Sequence, residues 1–216
     1  MDQKTIPGLE LPIRNIYCIG RNFADHAKEM NAETPSAPIV FLKPTSSICY
    51  DGDTISIPPQ SKNVHHEGEI VLAIGKSGKN IEETKAFEYV AGIGAGIDFT
   101  ARDIQSEAKK AGLPWSVAKG FDGFAPISSF KPLSDLITDS IELELRVNEQ
   151  IRQSGNTSQL IFSFEKLISY LSTIFTLQAG DLIFTGTPAG VSAIESGDVV
   201  TSQLPQLNIS VSVKIK

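Results

Sequence analysis

Glu67 and Glu69 stand two positions apart in His65-His66-Glu67-Gly68-Glu69. On a strand, that spacing sends both carboxylates to one face. Two like charges held together away from water are costly unless a cation neutralises them. Asp98 closes a glycine-rich segment just ahead of a helix and offers a third carboxylate. Three hard oxygen donors suit Mg2+ or Mn2+ better than Zn2+, and Mg2+ would keep several waters at roughly 2.0–2.1 Å, places that a chelating substrate can take. A solvated acidic strand end plus a helix-leading aspartate explains the same spacing, so the pattern alone leaves both readings open. The adjacent His65 and His66 point to opposite faces of a strand, which disfavours a zinc site and makes them packing or supporting residues.

Other side chains add reactive groups. His26 and Glu29 lie at i and i+3 of a short helix, so they can meet. A carboxylate on one imidazole nitrogen fixes the tautomer and raises the basicity of the other, which makes a general base for water. A surface helix pair worth roughly a few tenths of a kcal/mol accounts for the spacing too, and from the spacing alone it is the preferred reading. Arg102 and Gln105 are also i and i+3, in the helix after Asp98, whose N-terminus favours anions. Lys119, in Trp115-Ser116-Val117-Ala118-Lys119-Gly120-Phe121, is flanked by apolar residues and glycine. An ammonium there would stabilise a developing enolate oxygen, although composition also permits an exposed lysine. Thr185-Gly186-Thr187-Pro188-Ala189-Gly190 has the look of a ligand-binding turn but lacks the GK[ST] of a P-loop, and as a bare turn it is structural.

These groups need elements to hold them. Strands are expected at 16–19, 39–42, 54–57, 67–74, 89–99, 141–147, 181–185 and 207–215. Helices are expected at 20–30, with Asn22 as N-cap, and at 100–111, with Thr100 as cap, Asp103 completing the box, and Gly112 and Pro114 as the stop. The clearest helix begins at the cap Ser163, followed by Phe164, Leu167, Ile168, Leu171, Ile174 and Phe175 at helical spacing. Gly92, Gly94 and Gly96 bare one face of their strand, so something bulky must pack there. Asn148-Glu149 is expected to turn a hairpin. Many strands and few helices, without strict alternation, give a β-rich α+β fold.

Composition narrows the field. A net charge of −6 argues against a nucleic-acid surface. With 41% hydrophobic and 20% charged residues over 216 positions, the chain can bury a real core. Cys18 and Cys49 form no CxxC pair and read as reduced thiols of a cytoplasmic protein. The N-terminal residues show no apolar signal segment, and the apolar runs are too short to span a bilayer, so no membrane role is expected.

Taken together, the segments resemble the fumarylacetoacetate hydrolase family, in its compact acylpyruvase and oxaloacetate-decarboxylase branch. Six blocks carry the resemblance in order across roughly residues 15–215: GRNFADHAKEM, FLKP, HHEGEI, DFTARDIQ, GLPWSVAKGFD and DLIFTGTPAGV. The resemblance implies a mixed β-sandwich-like roll over residues 15–216, after an N-terminal arm of residues 1–14, and a homodimer. It implies Glu67, Glu69 and Asp98 as ligands of Mg2+ or Mn2+, His26 and Glu29 as a base dyad on a closing lid, and Lys119 as catalytic. Arg102, Gln105, Gly186 and Thr187 become substrate contacts for a small 2-oxo acid. The implied reaction is hydrolysis of the C3–C4 bond of an acylpyruvate through a metal-bound pyruvate enolate. Oxaloacetate decarboxylation and oxaloacetate keto–enol tautomerisation share that enolate and stand as alternatives. A catalytically silent metal and dicarboxylate binder is the rival of another class. Two positions depart from the pattern. Glu149 stands in the hairpin turn where glycine is usual, and Ala-Gly-Val-Ser follows Pro188 where a basic residue and a second glycine often occur.

Overall fold

The computed structural model describes residues 3–25, 35–133 and 140–216. His26 and Glu29 lie outside the described residues. The centre is a strand at Gly68–Ile74, every residue of which is buried. Ile70, Leu72 and Ile74 enter one apolar cluster, while Val71 and Ala73 enter another on the opposite face. A sheet covered on both faces needs apolar residues at every position, which is why the run is continuous.

This strand lies within an eight-stranded mixed sheet. On one side it pairs antiparallel with Val90–Ile97, and on the other with Leu182–Phe184, which runs parallel to Ile16–Gly20. Ile39–Lys43 follows as the edge. A five-stranded sheet containing Glu142–Val147, Gln150–Asn156, Val199–Leu204 and Ile209–Ile215 supplies the second layer. Its inward residues Leu143, Leu145, Val200, Val211 and Val213 share the larger cluster with Ile70 and Leu72. Beneath the first sheet, residues Thr5–Ile6 and Leu11–Pro12 pair as a small hairpin. Ile6 and Ile13 from this N-terminal stretch sit in the smaller cluster, so the arm is packed. The chain is β-rich, with two packed curled layers, as the resemblance implied.

The glycine strand shows why its face is bare. A Cβ on Gly94 would meet the Phe130 ring at 2.7 Å, and one on Gly96 would meet Val71 and Phe184 at 2.6 and 2.7 Å. The helix at Phe164–Ile174 is capped by Ser163, whose Oγ accepts from Lys166 N. Asn148 and Glu149 both take left-handed backbone, φ 49° and 68°, and turn the hairpin.

Several local expectations change. The helix after Asp98 begins at Arg102, because Thr100 and Ala101 are drawn into a short ladder with Val64 and His65. Thr100 therefore caps nothing, and Asp103 instead accepts from Ser61 Oγ and from the amides of Lys62 and Ile104. The helix expected at 20–30 lies largely outside the described residues, but the side chain of Asn22 is engaged by distant chain. Its Nδ2 donates to Phe162 O and Thr185 O, and its Oδ1 accepts from Phe162 N. Glu67 lies between two strands, Val64–His66 and Gly68–Ile74, so its carboxylate meets that of Glu69 through a break in the chain rather than through strand alternation. Among the described residues no helix is long and apolar enough to cross a membrane.

Candidate active site

Antiparallel register sets Glu69 opposite Gly96, and the amide of Asp98 donates to Glu67 O at 2.8 Å. These contacts bring the ends of two central strands together, and with them three buried carboxylates. Oxygens of Glu67, Glu69 and Asp98 lie within 4.8 Å of one another. Glu69 is 1% exposed and Asp98 is fully buried.

Three cations hold two of them, Glu67 and Asp98. Lys119 Nζ donates to Glu67 Oε2 at 2.8 Å and to Asp98 Oδ2 at 2.5 Å. Lys43 Nζ sits 2.7 Å from Asp98 Oδ1 and donates to the carbonyls of Phe99, Lys119 and Phe124. Arg102 Nη2 bonds Glu67 Oε1, while its Nη1 donates to Gln105 Oε1 at 2.7 Å. Burial alone would push the Lys119 ammonium down, but Asp98 and Glu67 together outweigh it and hold its pKa above the ordinary value. For Glu69, burial and then the charges of Asp98 and Glu67 all act the same way, raising its pKa well above the carboxylate range.

The donor set fits a divalent cation. All three ligand atoms are carboxylate oxygens, and Asp98 Oδ1 accepts no hydrogen bond, since its contact with Lys43 lacks the alignment for one. The three carboxylates balance Lys43, Lys119 and Arg102, so a divalent ion would leave an excess of two positive charges suited to an anionic substrate.

The turn after Leu182–Phe184 closes the site. Gly186 takes φ 104°, in the left-handed region, and a Cβ there would meet Asn22 Cβ at 2.6 Å. Its amide donates to Glu69 Oε2 at 2.6 Å, so this residue, named above as a substrate contact, directs its N–H at a carboxylate. Thr187 and Gln105 line the cavity together with Glu67, Glu69, Arg102 and Lys119.

Gln153 fixes the hydrogen bonding behind Thr187. Its Oε1 accepts from Gly68 N, so its Nε2 must be the donor to Pro188 O and to Thr187 Oγ1, at 2.8 and 2.7 Å. Thr187 receives that bond and is left with its hydroxyl hydrogen to offer to the cavity. The same oxygen lies 3.1 Å from His66 Nδ1, which must then carry the proton, leaving Nε2 to accept from Ser192 Oγ. Burial lowers the pKa of His66 and keeps it neutral. His65 bonds Asn63 Oδ1, and burial together with the Arg102 charge lowers its pKa to about 4. Both histidines support the site's surroundings, as adjacent strand positions suggested.

Sequence reasoning missed Lys43 and Gln153. Lys43 carried a faint signal, an ammonium at the end of the apolar run Ile39-Val40-Phe41-Leu42, within a block quoted for the resemblance. Gln153 carried none.

Residues 15–212 match the family described as Fumarylacetoacetate (FAA) hydrolase C-terminal. The chain belongs to this family. It is 44% identical over 205 residues to the mitochondrial oxaloacetate tautomerase of Mus musculus, spanning 94% of this chain and 92% of that protein. It is 47% identical over 205 residues to the mitochondrial oxaloacetate decarboxylase of Dictyostelium discoideum, spanning 94% of each. The crystal structure of fumarylpyruvate hydrolase from Pseudomonas aeruginosa, in complex with Mn2+ and pyruvate, superimposes with a TM-score of 0.93 at 37% identity, covering 99% of this chain and 95% of that one.

Proposed function

We propose that this family member is a metal-dependent enzyme acting on small 2-oxo acids, with Glu67, Glu69 and Asp98 holding Mg2+ or Mn2+. The observation that carries the reading is the buried carboxylate triad bridged by Lys119. A divalent ion there would supply a Lewis acid toward the 2-oxo acid end of the substrate. The remaining work belongs to side chains. Lys119, held protonated by Glu67 and Asp98, stabilises negative charge on the enolate oxygen of departing pyruvate. Gln105, braced by Arg102, orients the carboxylate at the metal, Arg102 contacts the substrate beyond it, and Thr187 donates its free hydroxyl hydrogen. His26, oriented by Glu29, takes a proton from water for attack on the C4 carbonyl of an acylpyruvate. That last role rests on their spacing and on family resemblance. With oxaloacetate, loss of CO2 gives the same enolate without water attack, and proton transfer alone gives the tautomerase outcome. Relatives named for oxaloacetate tautomerisation, oxaloacetate decarboxylation and fumarylpyruvate hydrolysis support this shared chemistry.

A cytoplasmic homodimer, with residues 15–216 as the catalytic unit and 1–14 as its arm, completes the proposal. Cys18 and Cys49 are free and buried, in keeping with a reducing compartment. The deciding test is pyruvate release from acetylpyruvate and from oxaloacetate by apo-protein, with and without Mg2+ or Mn2+, against metal-only controls. Metal-dependent release above control is expected, and the ratio of the two rates names the main activity. No release from either substrate would remove both the hydrolase and the decarboxylase.

A further inference from the structure

The cavity holds more positive charge than its carboxylates need. Lys43, Lys119 and Arg102 are taken up by Glu67 and Asp98. Arg21 and Lys109 also line the cavity, and among the described residues neither enters an ion pair. A third donor is free as well: Arg102 Nε is buried without a hydrogen-bond partner.

Their placement is ordered from the triad outward. Lys119 Nζ lies 4.8 Å from the centre of the Phe41 ring, that ring packs on Trp115 at 5.7 Å, and Lys109 Nζ lies 5.1 Å from the centre of Trp115. The aromatic pair thus separates an inner ammonium, at the carboxylates, from an outer one. Lys109 falls in the last turn of Arg102–Ala111, where the helix dipole favours a cation. That accounts for a lysine at this position but not for its half-buried placement beside two other cations. Burial, then Arg102 and Arg21, push its pKa down to about 8. Arg21 leaves its strand with left-handed backbone, φ 59°, a conformation that concentrates at functional sites. The cavity's aromatic rings are each covered by an ammonium, so an alkyl group would meet charge where it needs apolar wall.

We propose that Arg21, Lys109 and the free Nε of Arg102 form a distal carboxylate subsite that selects 2-oxo dicarboxylates over 2-oxo monocarboxylates. This rests on the metal-chelating reading above and gives it a substrate class. The first carboxylate and the 2-oxo group go to the inner end, and the second carboxylate pairs with the outer cations. Oxaloacetate and a fumaryl-bearing pyruvate satisfy both ends, whereas acetylpyruvate satisfies one.

Malate and lactate test this without turnover, since they share the 2-hydroxy acid end and differ by one carboxylate. Calorimetric titration of Mn2+-loaded protein is expected to show malate binding at least about tenfold tighter than lactate. Lys109→Gln and Arg21→Gln are each expected to weaken malate by about tenfold while lactate and Mn2+ affinities stay within about twofold. Two separate variants guard against misfolding of either one. Equal affinities for the two acids in the unaltered protein, or equal weakening of both in the variants, would overturn the subsite while leaving the metal reading standing. Mn2+ binding with neither acid bound would overturn the chelating reading and the subsite together.

Discussion

Two aspartates are fully buried at opposite ends of the central sheet, and they are satisfied in different ways. Asp181 precedes the strand Leu182–Phe184 and accepts three N–H bonds, from Asn15 N, Asn15 Nδ2 and Gln178 N, at 2.9, 2.9 and 2.7 Å. Asp98 follows the strand Val90–Ile97 and is met by two ammoniums, one of them out of hydrogen-bond alignment. Fixed neutral donors tie a loop to its strand and leave nothing over. Flexible cations hold charge in place until a stronger cation arrives. Burial alone does not distinguish a structural carboxylate from a functional one; the kind of partner does.

One substitution made at both positions tests this most severely. Asp98→Asn removes a ligand charge but leaves Lys43 its three carbonyl acceptors. We expect Mn2+ affinity to fall by more than about a hundredfold, with metal-dependent turnover lost and a melting temperature close to that of the unaltered apo-protein. Asp181→Asn should do the reverse. Its new NH2 must face one of three donors that cannot accept, leaving a buried group unpaired at a cost of about 1–3 kcal/mol, while Mn2+ still binds. Metal titration and thermal melts on both variants check the pair. Matching phenotypes would break the distinction.

Glu69 sharpens it through pH. Its folded pKa lies above the ordinary carboxylate value, 4.5, because of burial and the Asp98 and Glu67 charges. The folded apo-protein therefore keeps a proton that the unfolded chain releases, and stability falls as pH rises from the ordinary carboxylate range toward the raised folded value. Glu69→Gln has no such proton to lose, and its Oε1 can still accept from Gly186 N. Apo Glu69→Gln is expected to melt higher than the unaltered apo-protein at neutral pH, with the gap closing below about pH 4.5. Added Mn2+ should reverse the order, since ligand at about 100 times its Kd stabilises only the intact site by about 2.7 kcal/mol. Melts across pH, with and without Mn2+, check both halves. An apo variant that melts lower at every pH would show that Glu69 is a structural carboxylate of the Asp181 kind.

What the sequence disclosed follows the same division. The chemistry of the triad, the cap at Ser163 and the bare face at Gly92, Gly94 and Gly96 are legible because residue type or short-range period encodes them. The roles of Lys43, Asn22 and Gln153 are not, because their partners come from distant chain. Asn22 reaches residues 140 and 163 positions away, and Gln153 reaches residues 34 to 87 positions away. Thr100 misleads for a related reason, since its ladder with His65 outcompetes the cap its type favours. Family resemblance supplied the two-layer roll, which periodicity did not contain.

The smallest effect lies far from both aspartates, at the Asn148-Glu149 turn. Both residues have positive φ, and only Glu149, at 68°, is a type that strongly resists it. The turn is held by Asn148, whose side chain accepts from Val199 N at 2.9 Å and donates to Asp198, and by Arg146 reaching the carbonyl of Glu149. Removing the Glu149 side chain breaks none of these bonds. Glu149→Gly relieves a left-handed strain of roughly 1–2 kcal/mol, offset in part by the wider freedom of glycine in the unfolded chain. A net gain of about 0.5–1 kcal/mol is expected by denaturant unfolding, with Mn2+ affinity unchanged. A change in metal affinity would mean that this hairpin couples to the carboxylates through Gln153, on its returning strand, and the separation of scaffold from site would then have to be redrawn around that residue.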